Sequence, residues 1–248
     1  MERDGLAALA GFFASASALE SGTTIVLGEE AAHHARVRRL EEGARVYVAD
    51  GHGAQATGSI ARLGKKDIAI ALDDVRHSPR PPELHLLVPI ADRDRMLWCA
   101  EKCTELGVSS WRPVMWNRSR SVSPRGEGQA FAQRVRARMT AALLQSHSAW
   151  LPDVGDDATI TDAVASLPSG GTRLALDGSG DPIARESFGE PLTIAVGPEG
   201  GLEAGELQQL RDASFRVVSI GANVLRFETA AVAAVAIVRA KINGVRLH

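Results

Sequence analysis

Aromatic side chains are scarce: one Tyr, four Trp and six Phe in 248 residues. A core must therefore rest mainly on Ala, Val, Leu and Ile. Two cysteines cannot make a disulfide framework, and no thiol-rich cluster exists. A reducing cytoplasm is the natural setting for such a chain. Long apolar runs are also missing. The longest, Ala230 to Val238, is far shorter than the ~20 residues a membrane span needs, so a soluble protein is expected. The start, Met1-Glu2-Arg3-Asp4, lacks the basic region of a signal peptide. Charge excess is absent as well. A net charge of −2 excludes a uniformly basic coat, though not a local basic face. What is present, 45% hydrophobic and 23% charged residues, is close to the globular average and excludes wholesale disorder.

The first third reads as short strands and turns. Thr23 to Leu27 is β-branched and apolar, and Val46-Tyr47-Val48 runs into the turn Asp50-Gly51-His52-Gly53. Gln55 to Arg62 and Asp67 to Leu72 flank Gly64-Lys65-Lys66 as two further strands. The pattern suits a small barrel or curled sheet, with a helical stretch from Glu29 to Leu40. Pro79, Pro81 and Pro82 then interrupt it, and a domain boundary is placed there.

Beyond the prolines, strands and helices alternate. Leu84 to Ile90 is a continuous apolar strand. Asp92 caps a helix through Leu106, which Gly107 closes. Strands follow at 110–115, 174–176, 192–196 and 216–220, with helices over about 128–146, 203–213 and 228–242. Such units predict a mostly parallel sheet covered by helices.

Open parallel sheets bind ligands beyond the carboxyl ends of their strands. Three late strand ends carry unusual loops: 177–180, 197–201 and 221–227. Gly197-Pro198-Glu199-Gly200-Gly201 lets a ligand approach the backbone. It matches neither common phosphate-binding glycine pattern. Glu199 and Glu203 disfavour a polyphosphate and suit a neutral or cationic ligand. Read alone, the loop is equally a tight turn. In the third loop, Arg226 stands at the sheet's lip, with Glu228 and Thr229 opening the last helix.

Charge is also unevenly placed. Between Arg112 and Arg138 stand seven arginines, no lysine and one acid, Glu127. Arginine forks onto phosphate oxygens, so this run points to a nucleic acid. His33, His34, Arg36, Arg38 and Arg39 form a second basic patch. Cys99 and Cys103, four residues apart on a helix, read as buried small side chains rather than metal ligands. No Gly-x-Ser-x-Gly elbow exists.

Taken together, these residues resemble the bacterial 16S rRNA (uracil-N3) methyltransferase family of the SPOUT superfamily. The resemblance rests on His33-His34 with Arg36-Val37-Arg38-Arg39-Leu40 and Gly43, and on Glu101-Lys102-Cys103-Thr104-Glu105-Leu106-Gly107-Val108. It continues through Gln145-Ser146 with Leu151-Pro152, Gly197 to Gly201, and Leu225-Arg226 with Glu228-Thr229-Ala230. It implies an α/β protein: a PUA-like RNA-binding β-barrel over 1–78, then a SPOUT methyltransferase domain with a trefoil knot over 79–248. S-adenosyl-L-methionine is the implied cofactor, held by Leu176, Gly178, Gly197, Gly200, Ile220, Leu225 and Ala230. Arg226 is the implied catalytic cation, with Glu199, Glu228 or water as the base. His34, Arg36, Arg38, Arg39, Arg118, Arg120 and Arg125 would dock RNA. The implied partners are 16S rRNA, within the small ribosomal subunit, and a second copy of the chain; no metal and no membrane are expected.

The chain departs from the family pattern at Leu144, where Glu is usual, at His147-Ser148-Ala149, and at Asn223, where Arg is common. An alternative is therefore an RNA-binding or ribosome-assembly protein that has lost catalysis. Methylation of a different RNA base is another.

Overall fold

A computed structural model describes residues 9–14, 19–119 and 128–245. The chain divides into two compact units, residues 1–80 with 140–151, and residues 81–139 with 152–248.

The first unit is a five-stranded curled sheet of order β1-β3-β4-β5-β2. Its strands are β1 (Ala10–Phe13), β2 (Thr24–Leu27), β3 (Arg45–Ala49), β4 (Ala54–Leu63) and β5 (Ile68–His77). All pairings but β1–β3 are antiparallel. Helix α1 (Glu29–Val37) buries Ala32 and Ala35 against the apolar lining that Ile25, Val46, Val48, Ile60 and Ile70 supply. Glu29 and Glu30 open α1 and His34 and Arg36 close it, a charge order that complements the helix dipole.

Residues 140–151 join this unit through specific pairings. Gln55 donates from Nε2 to the His147 carbonyl at 2.9 Å, and the Trp150 indole N–H to the Ser78 carbonyl at 3.1 Å. His147 packs edge-on to Tyr47, 5.0 Å between ring centroids. Leu144, the family's usual Glu, sits in an apolar cluster with Tyr47, Ala49, Leu143 and Phe13.

The second unit is a seven-stranded sheet. Along it run β12 (Arg216–Ser219), β10 (Thr172–Pro182), β11 (Leu192–Val196), β6 (Leu84–Pro89), β7 (Ser110–Met115) and β8 (Asp153–Val154); β9 (Ala158–Thr159) also pairs with β7. Every pairing is parallel. The β11 strand is buried along its whole length, which explains its unbroken apolar sequence. The helices are α2 (Arg93–Glu105), α3 (Gly128–Ser146), α4 (Ile160–Ala165), α5 (Ala204–Asp212) and α6 (Phe227–Val245). Phe131, Val135 and Met139 of α3 are buried, as their spacing predicts.

Asp92 caps α2, its Oδ1 accepting from the Arg95 backbone N–H at 3.1 Å. At the other end, α6 sends Arg239 to the same helix. Its guanidinium is buried and donates to the carbonyls of Gly107 and Pro82. The cation thereby ties the turn after α2 to the segment that enters β6. Cys99 and Cys103 are buried with sulfur atoms 3.8 Å apart, and their mutual hydrogen bond, with burial after it, pushes the Cys103 thiol up. Among the described residues no helix is long and apolar enough to cross a membrane.

Candidate active site

The β10 strand does not end at Leu176. Leu176 and Asp181 both register with Val218 of β12, so residues 177–180 leave the ladder and return to it. The sequence reading placed a strand end here; the structure shows an excursion within a longer strand. Asp177 shapes it, Oδ1 accepting from the Ser179 N–H at 2.9 Å and from its hydroxyl at 2.6 Å. Gly180 is needed because a Cβ would fall 2.4 Å from the Val217 carbonyl carbon and the Val218 nitrogen.

This excursion, the glycine loop after β11 and the loop after β12 enclose one cavity. Its wall includes Leu176, Gly178, Gly197, Ile220, Leu225 and Ala230, six of the seven residues expected to hold a cofactor, together with Glu199. Gly200 is not in the wall. A Cβ there would meet Arg118, at 3.2 Å from Cδ, and its neighbour Gly201 lines the cavity instead, at φ +72°. Among the described residues, the wall holds two carboxylates, Asp177 and Glu199, and no Lys, Arg or His.

Arg226 is exposed and outside the wall, between the lining residues Leu225 and Phe227. Among the described residues its guanidinium has no ion-pair partner, and its carbonyl accepts the Ala230 N–H at 2.9 Å as α6 begins. Glu228 is buried and likewise outside the wall; it faces Arg95, with Oε1 3.9 Å from Arg95 Nε. Arg95 Nη1 also donates to Glu199 Oε1 at 3.0 Å. The two carboxylates put forward as bases therefore share an arginine that the sequence reading did not single out. Its signal was present: the third residue after a helix cap, on the face that meets α6.

The glycine loop has a second support. Glu206, buried in the first turn of α5, accepts the Glu203 N–H at 2.8 Å and the Asn117 N–H at 2.7 Å through its two oxygens. Arg118 Nη1 donates to the Gly200 carbonyl at 2.7 Å, and Arg118 Nε lies 3.5 Å from Glu203. Glu203 is thus turned toward Asn117 and Arg118.

The arginine run is partly committed to protein partners. Beyond Arg118, Arg136 donates to the Val154 carbonyl at 3.1 Å and Arg138 pairs with Glu101 at 3.0 Å. Lys102 first, and Arg138 after it, hold the Glu101 carboxyl below its usual range. Arg120 and Arg125 lie outside the described residues. In the first unit, Arg36 donates to the carbonyls of Gly64 and Lys65 and so braces the β4–β5 turn. His34 packs edge-on against Phe12, and burial, helped by Arg38, lowers its pKa. Arg38 and Arg39 are exposed, Arg39 at φ +55° just past the helix end.

Comparison with known proteins gives this geometry a context. Residues 78–239 match the family described as RNA methyltransferase domain, and residues 27–73 match the RNA methyltransferase PUA domain. A curated relative from Mycobacterium bovis, named ribosomal RNA small subunit methyltransferase E, is 28% identical over 226 residues, 85% of this chain and 83% of the relative. The protein of that name from Bacillus subtilis is 24% identical, covering 85% and 87%. The crystal structure of the corresponding Neisseria gonorrhoeae enzyme, bound to S-adenosyl methionine, superposes with a TM-score of 0.86 at 25% identity. It covers 94% of this chain and 98% of that one. With the family domain spanning most of its second unit and the PUA match falling in its first, the chain belongs to the RNA methyltransferase family.

Proposed function

We propose that this protein transfers the methyl group of S-adenosylmethionine to N3 of a uracil in 16S rRNA. The carrying observation is the cavity wall: glycine backbone, apolar side chains and two carboxylates, with no cationic side chain among the described residues. A nucleotide polyphosphate would meet repulsion there, whereas a sulfonium cofactor is complementary. Leu176, Gly178, Gly197, Ile220, Leu225 and Ala230 would hold it. Likeness to a structure that contains this cofactor supports the same assignment.

When bound, S-adenosylmethionine supplies an electrophilic methyl group. The chain must then manage charge on the acceptor, because N3 of uracil reacts as nitrogen that has given up its proton. Negative charge spreads over O2 and O4 of the ring. Arg226, exposed beside the cavity and unpaired among the described residues, is the group that stabilises it. Glu199, already accepting a hydrogen bond from Arg95, serves as a fixed charge at the cavity rather than as the base. Glu228 faces Arg95 and does not reach the cavity wall.

Arg38 and Arg39 in the first unit and the arginine-rich segment of the second provide phosphate contacts. With aromatics at only 4%, arginine–phosphate contacts and shape outweigh base stacking in this reading. A homodimer, a trefoil knot in the second unit and the small ribosomal subunit as substrate rest on the same resemblance. Leu144 weighs against lost catalysis: it replaces a usual Glu within an apolar cluster, so the change is one of packing.

The experiment is methyl transfer from labelled cofactor to small ribosomal subunits purified from a strain lacking the gene, followed by nucleoside analysis. The expected product is 3-methyluridine. Transfer to another nucleoside would overturn the choice of target, and cofactor binding without transfer would favour the non-catalytic reading.

A further inference from the structure

Arg95 is one cation facing two carboxylates. Its Nη1 donates to Glu199 Oε1 at 3.0 Å, on the cavity wall, while its Nε lies 3.9 Å from Glu228 Oε1. Glu228 is buried, and its Oε2 has no hydrogen-bond partner among the described residues. The three groups together carry one net negative charge. Asp177 adds another on the wall, and among the described residues no cation lines it.

We propose that Arg95 is a positioning residue that holds Glu199 at the cavity and, by partly cancelling its charge, sets how strongly the site prefers the sulfonium cofactor over the thioether product. This rests on the reading that S-adenosylmethionine occupies the cavity. In the transfer, the carbon–sulfur bond breaks, sulfur keeps the electron pair, and the methyl group bonds to N3, whose proton leaves to solvent. Cofactor and product, S-adenosylhomocysteine, then differ by one methyl group and one positive charge. Uncompensated negative charge at the wall therefore favours the cofactor. A neutralised wall makes the two bind alike and leaves the product to compete. Arg95 belongs to the capped first turn of α2, and the glycine loop carries Glu199, so the geometry of this pair is set by two separate elements.

The test is calorimetric affinity for S-adenosylmethionine and S-adenosylhomocysteine, measured on the full chain. Glu199→Gln should lower the preference for the cofactor about three- to tenfold, the effect of one charge a few bond lengths beyond contact at intermediate dielectric. Arg95→Gln should raise it by a similar factor, because it leaves both carboxylates uncompensated, while Arg95→Gln combined with Glu228→Gln removes one charge of each sign and should return the ratio toward the native value. Arg95→Lys should keep the native ratio. An unchanged ratio in both Glu199→Gln and Arg95→Gln, with both ligands still bound, overturns the proposal. Failure of the unmodified protein to bind either ligand overturns the cofactor reading instead. Because Glu199 is partly exposed, its variant reads the charge effect even if Arg95→Gln, which strands buried Glu228, is unstable.

Discussion

Gly180→Ala probes the excursion that forms one side of the cavity. A Cβ at this position would stand 2.4 Å from backbone atoms of Val217 and Val218 and 2.5 Å from the Val217 carbonyl oxygen. Ordinary contact begins near 3.4 Å, so β10 and β12 must part by about 1 Å. Neither side is a flexible side chain that could swing aside. The register of Asp181 with Val218 and Pro182 with Ser219 would be lost where the strand rejoins the ladder. Overpacking of this kind costs about 1–3 kcal/mol and each lost ladder hydrogen bond about 1 kcal/mol, giving a loss of about 3 kcal/mol. Urea unfolding of the full chain measures it as a shifted midpoint at unchanged slope. Cofactor affinity should fall in parallel, because Val218, Ser219 and Ile220 line the cavity. Gly178→Ala is the control. It lies two residues away, and a Cβ there meets no atom within 4 Å, so stability should change by less than about 0.5 kcal/mol. Equal midpoints for Gly180→Ala and the native protein would refute the steric argument.

Arg226→Ala should reduce turnover about 100-fold or more while leaving calorimetric cofactor affinity unchanged, since its side chain is outside the cavity wall; equal losses in both would refute its assigned role. Gly200→Val should displace Arg118 from the Gly200 carbonyl rather than fill the cavity, so cofactor affinity should fall by less than about tenfold. Complete loss of binding would return Gly200 to the cavity wall. Stability should also depend on His34. Its folded pKa is lowered from 6.5, so the unfolded chain takes up a proton first, and stability present above 6.5 declines as pH falls below it. His34→Gln should flatten that part of the pH profile, which unfolding midpoints between pH 5 and 7.5, a range spanning about a unit or more on each side, would show.

What the sequence made legible was whatever had local periodicity or local chemistry. The continuous apolar strand Leu192–Val196 and the Asp92 cap fall where their residues say they should. The convergence of three loops follows from strand-end logic and from resemblance, and six of the seven residues expected to hold a cofactor meet at one wall. The failures are long-range. Gly200 looks interchangeable with Gly197 in a glycine-rich loop, and only packing against Arg118, 82 residues earlier, distinguishes them. The continuation of β10 past Leu176 was hidden because Asp177-Gly178-Ser179-Gly180 has the composition of a turn, and it is indeed a turn, inserted within a strand. Arg95 carries no local signal of its pairing, because its two carboxylates lie more than 100 residues away. The arginine run, conspicuous in composition, proved to be in part structural once Arg118, Arg136 and Arg138 found protein acceptors.

The pairing of Gln55 with His147, and of Trp150 with Ser78, imposes an order on biosynthesis. When residue 80 leaves the ribosome, the curled sheet has its five strands but lacks the segment that satisfies Gln55 and covers Tyr47. That segment is synthesised some 60 residues later, at roughly 5–20 residues per second, so the nascent sheet waits for several seconds with an apolar side open. Cleavage at the prolines would separate strands from their completing segment. A chain with a second copy of residues 140–151 inserted directly after residue 80 would remove the delay, and its faster acquisition of protease resistance would register the completing segment at work.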